Sequence, residues 1–145
     1  MVKGNGYAMN NLLNLQRKSQ TIDKVKTKRK GINWEFTNLL LAKDYKCYNF
    51  YNEKEVMAYI TIITSELVDM YQVSQARGTD IEKTTGLTKS KINRANRRLM
   101  LYTDAEVLSS LTYLYEGVKL SMTGNLHLNI MFKSFMAYLL SNWFK

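Results

Sequence analysis

Residues 79–101, TDIEKTTGLTKSKINRANRRLML, decide how this chain is read. Gly86 divides the stretch, and glycine enters left-handed backbone at no steric cost, so it suits a corner between two short helices. Thr79 and Glu82 have the T-x-x-E spacing of a capping box, which predicts a first helix from there to Gly86. Thr88 caps a second helix that reaches about Leu101. Ile81, Leu87, Ile92 and Ala95 fall where apolar side chains lock two such helices together in a helix-turn-helix-like corner. The second helix carries Lys89, Lys91, Arg94, Arg97 and Arg98 without an acid, and Lys89, Lys91, Arg94 and Arg98 are expected on its exposed side. Five cations on so short a helix give sequence-independent affinity for phosphate. Glu82 counts against a DNA surface. It stands where a small residue lets the helices cross closely, and it puts a carboxylate where phosphates would lie.

Outward from this corner the chain is striped. Val56, Tyr59, Ile60, Ile63, Leu67, Met70 and Tyr71 recur at three and four residues, which predicts a helix over 52–77 opened by Asn52 and Glu55 and ended by Gly78. Ile62, Val68 and Val73 widen that stripe, so this helix is buried on two sides or meets another subunit. A second capping box, Thr103 with Glu106, opens a helix that stops at Gly124, with Gly117 inside it. Residues 125–143 make a last apolar helix. Residues 32–42 make an earlier one through Ile32, Phe36, Leu39 and Leu40, with Trp34 as a core anchor. The following DYKCYNFYN wedges an aromatic loop against the core; the other reading is that Tyr45, Tyr48, Phe50 and Tyr51 stack on bases. No segment alternates apolar and polar residues between hairpin turns. The fold class is all-α, a five- to six-helix bundle containing the helix-turn-helix-like corner.

Before that bundle, residues 1–31 read as a basic, partly disordered arm, and 32–145 as the helical domain. Arg17, Lys18, Lys24, Lys26, Lys28, Arg29 and Lys30 face one acid, Asp23, and such a run repels itself and has little to bury. Lys26, Lys28, Arg29 and Lys30 are candidate phosphate contacts; the bland alternative is a solvated linker. The whole chain carries a net charge of +9, which favours an anionic partner over an inert basic surface. One cysteine, Cys47, cannot form an internal disulfide, and no signal peptide or membrane-length apolar run is recognisable, so a cytoplasmic protein is expected.

Chemistry is sparse. His127 is the single histidine and reads as structural, so no metal site is expected. There is no phosphate-binding G-x-x-x-x-G-K-[ST] loop and no nucleophile elbow, and the twelve acids read as scattered over solvent faces. No catalytic residue and no cofactor are expected, and the protein is read as a non-enzyme.

From about Val56 to Trp143 the succession of segments resembles the C-terminal region of the delta subunit of bacterial DNA polymerase III, a clamp-loader subunit. Residues 66–125 carry the resemblance: Leu67 to Ser74 at the end of a long helix; Gly78, Ile81, Lys83, Gly86 and Leu87 in the turn; Tyr102, Thr103 and Leu108 opening the next helix. The ending at Glu116 to Gly124 departs from the pattern, with Lys119 displaced and Met122 where the family has lysine. Residues 1–51 do not match the domain that precedes this region in the family. The resemblance implies a helical collar that oligomerises with the equivalent domains of other loader subunits.

The leading expectation is thus a non-catalytic interaction module of the collar type, associated with DNA replication. Its partners would be other clamp-loader subunits or copies of itself, met through Tyr59, Ile63, Met70, Tyr113, Phe132 and Phe135. The alternative is a DNA-binding helix-turn-helix protein, a regulator or a mobile-element protein, holding DNA through the basic helix and the arm. No membrane partner is expected.

Overall fold

Side-chain caps open three of the α-helices and both short 3-10 helices. A computed structural model of the chain describes residues 30–141, and side chains from residue 33 onward. Among the described residues there are six α-helices and no strand: α1 Lys30–Leu41, α2 Val56–Gln75, α3 Ile81–Thr85, α4 Lys89–Leu99, α5 Asp104–Met122 and α6 Leu128–Ser141. Two short 3-10 helices, Tyr45–Phe50 and Glu53–Glu55, link α1 to α2.

Thr88 caps α4 by accepting from the Lys91 N–H, and Thr103 with Glu106 closes both halves of the capping box on α5. Gly86 makes the α3–α4 corner in the left-handed region at φ 73°. Two expected caps move. Asp80, not Thr79, accepts the Lys83 N–H at the start of α3, because the Thr79 hydroxyl is engaged by the Ala76 carbonyl and by Thr84. Asn52 does not share a capping box with Glu55; its side chain accepts from Lys54 and caps a 3-10 turn before α2 begins.

The central helix is α2. It packs against α1, α3, α4, α5 and α6, which accounts for an apolar stripe too wide for one face. Phe36, Tyr59 and Phe132, with half-buried Tyr51, form an aromatic cluster at the junction of α1, α2 and α6, with the Phe36 and Tyr59 rings stacked at 4.1 Å. The residues at 45–51 thus divide: Cys47 is buried and Phe50 and Tyr51 pack on the core, while Tyr45 and Tyr48 face solvent. Gly117 lets α5 and α6 approach, since a Cβ there would sit 2.4 Å from Met131 Cγ.

This packing corrects the expected interface. Tyr59, Ile63, Met70, Phe132 and Phe135 are fully buried in the chain's own core, and half-buried Tyr113 lies against Phe135 and Tyr138. Five of the six cannot meet a partner without unfolding the bundle. The apolar surplus read from sequence is consumed by the five neighbours of α2.

Candidate nucleic-acid interface

With 3.6 residues per turn, α4 divides into two arcs. Ile92, Ala95 and Leu99 recur at three and seven residues and are buried against α2. Arg98 lies on the same arc and is buried with them, its side chain 10% exposed. Opposite them stand Ser90, Asn93 and Arg97, flanked by Lys89 and Asn96, all exposed. Ser90, Asn93, Asn96 and Arg97 line a shallow open hollow.

The inward arc is an ionic clamp. Glu66 on α2, its side chain only 6% exposed, accepts from Arg94 Nε at 2.7 Å and from Arg94 Nη2 at 3.3 Å. It also accepts from Arg98 Nη1, and Arg98 Nη2 donates to Asn38 Oδ1 on α1. The Trp34 ring of α1 lies beneath both guanidiniums, 4.9 Å from Arg94 and 5.6 Å from Arg98. Charge-assisted bonds and cation–π contacts in so dry a setting tie α1, α2 and α4 together. Trp34, expected as a core anchor, is half-buried and serves instead as a platform for the protein's own arginines.

Asp69, one turn from Glu66, extends this node. Burial pushes its carboxyl up to about 6, with Glu66 adding to the rise; Lys91, Arg94 and Arg98 oppose it. Lys91 is exposed yet lies on the side of α4 that faces this pair of acids. A second ionic contact braces the far end of α1. Lys43, 4% exposed, pairs with Glu106 at 3.0 Å and sits 4.4 Å over the Tyr102 ring. Burial would raise the Glu106 carboxyl, but the Lys43 ammonium and the Thr103 N–H outweigh it and leave it lowered.

The expected basic face is therefore redistributed. Lys89, Lys91 and Arg97 are exposed as solvent-facing cations; Arg94 and Arg98 are not, because Glu66 draws both inward. The acids are not all on solvent faces either, as Glu66 and Asp69 show. Glu82 is exposed and does not obstruct the α3–α4 crossing. Lys26, Lys28 and Arg29 lie outside the described residues; Lys30 opens α1. Sequence reasoning missed Ser90, Asn93 and Asn96 because it looked for charge. The i, i+3, i+7 spacing of Ser90, Asn93 and Arg97 opposite Ile92, Ala95 and Leu99, with Asn96 flanking it, was the available signal.

Other chemistry is quiet. The Cys47 thiol is pushed up to about 11 by burial and by Asp44, so it stays protonated at neutral pH. His127 is exposed, and its Nδ1 accepts the Asn129 N–H at the start of α6. Among the described residues no three His, Cys, Asp or Glu side chains converge, and no helix is long and apolar enough to cross a membrane. No protein-family model, curated protein or solved structure matches this chain.

Proposed function

We propose that the chain is a DNA-binding helix-turn-helix protein in which α4 is the helix that meets the duplex. One observation carries this reading: the outward arc of α4 presents Lys89, Ser90, Asn93, Asn96 and Arg97, without a carboxylate, on a helix whose other arc is locked in place. Hydrogen-bonding amides, a hydroxyl and two cations are the residue types that contact base edges and phosphates. Both α3 and α4 pack on α2, which gives the three-helix support such a unit needs. The net charge of +9 adds long-range attraction for nucleic acid.

Gel-shift titration of the full chain against a mixed-sequence duplex tests this. Binding at low salt that weakens steeply as salt rises is the expected result. A wild-type protein that shifts no duplex at low salt sinks it.

Self-association or docking in a replication collar is the second reading. It now rests on Leu120, Met122 and Ile130, which lie exposed around the α5–α6 corner. Sedimentation as a monomer that ignores clamp-loader subunits would remove that support.

A further inference from the structure

We infer that α4 reads sequence in the major groove of duplex DNA through Asn93 and Arg97, the first selecting adenine and the second guanine; this rests on the duplex-binding reading above. Both side chains are exposed near the middle of the outward arc, and neither spends a polar atom on another described side chain. That separates them from Arg94 and Arg98, whose donors are committed to Glu66 and Asn38.

The chemistry of the two groups is specific. A side-chain amide offers one donor and one acceptor in the spacing of adenine N6 and N7. A guanidinium offers two parallel donors that match guanine O6 and N7. The fixed fork of arginine makes the second match directional, where a lysine would only supply charge. Four residues of helix rise about 6 Å, which is about two base pairs at roughly 3.4 Å each. Lys89, at the edge of the arc, is placed for a phosphate and would add affinity without sequence information. Ser90 lies next to Arg97 in direction, about two turns earlier along α4, and suits either a base edge or a phosphate.

Rigidity makes this readout worth having. Glu66, Trp34 and Asn38 fix the roll of α4 about its own axis, so Asn93 and Arg97 are held outward before DNA arrives. Less ordering remains to be done on binding. The groove also selects the duplex. The B-form major groove, about 12 Å wide, admits an α-helix, while the A-form RNA groove is too deep and narrow for side chains to read.

Selection from a random duplex library, using the full chain and the variants Asn93→Ala, Arg97→Ala and Lys89→Ala, tests the inference. All three positions are exposed, so each variant should fold. The wild type should enrich a site with an adenine and a guanine about two base pairs apart. Asn93→Ala should lose preference at the adenine and Arg97→Ala at the guanine, each by roughly 5- to 150-fold in discrimination. Lys89→Ala should keep the same site and reduce the slope of log affinity against log salt by about 0.9. Preferences that survive both Asn93→Ala and Arg97→Ala overturn the assignment. Duplex binding with no enriched site also overturns it, while leaving the proposed function standing. No binding to any duplex removes both.

Discussion

Arg97 and Arg98 are neighbours in sequence and alike in chemistry, yet they belong to opposite arcs of α4. Arg98 is buried against Glu66, Asn38 and Trp34, whereas Arg97 faces solvent over an open hollow beside Asn93 and Asn96. The difference is a rotation of about 100° along one helix. It teaches that counting cations measures the field around a helix but not the groups available to a ligand. Direction is set by the apolar residues Ile92, Ala95 and Leu99, and the acids on α2 then decide which arginines are consumed.

The comparison breaks most severely at Glu66. Glu66→Ala would leave Arg98 buried without its carboxylate, and removing one partner of a buried pair costs about 3–5 kcal/mol. Denaturant unfolding should show a loss of that size, a large part of the stability of a domain this small. A loss under 1 kcal/mol would mean the clamp does not hold α4.

Arg98→Ala sharpens the same contrast. It removes charge-assisted bonds to Glu66 and Asn38 and should lower stability by about 2–3 kcal/mol, while Arg97→Ala should change it by no more than about 0.5 kcal/mol. Equal effects at the two positions would erase the distinction between the arcs.

Asp69 should respond in the opposite sense. Its folded-state carboxyl titrates near 6, above the ordinary value of 3.8, so the native state holds the proton more tightly. Stability contributed by this group therefore falls as pH rises from about 4 to 6, and at neutral pH the ionised carboxylate is destabilising. Part of the group is solvated, so Asp69→Asn should gain about 1–2 kcal/mol at pH 7.5 after allowance for screening. The gain should shrink towards zero as pH falls through that window. A variant less stable than the parent at pH 7.5 would show that Asp69 works as a partner of Lys91 and Arg94.

Much of the scaffold is legible in local sequence, because caps and glycine corners are short-range. Thr88, Gly86 and the Thr103–Glu106 box each act within four residues, and each is found where the spacing puts it. Thr79 and Asn52 fail for the same short-range reason in reverse: the Asp80 carboxylate takes the cap in one case, and in the other the Lys54 N–H of a 3-10 turn takes the Asn52 side chain. The site is less legible. Arg94 and Arg98 turn inward because of Glu66, 28 and 32 residues away, and no local pattern encodes that pairing. Likewise Tyr59, Phe132 and Phe135 look like surplus apolar surface until α1 and α6 close around α2.

The most direct measurement pairs duplex affinity with unfolding free energy for one variant, Arg97→Glu. If the outward arc of α4 meets DNA, affinity at low salt should fall at least tenfold while stability stays within about 0.5 kcal/mol of the parent. Unchanged affinity at unchanged stability would contradict it, and DNA contact would then have to be sought on another face.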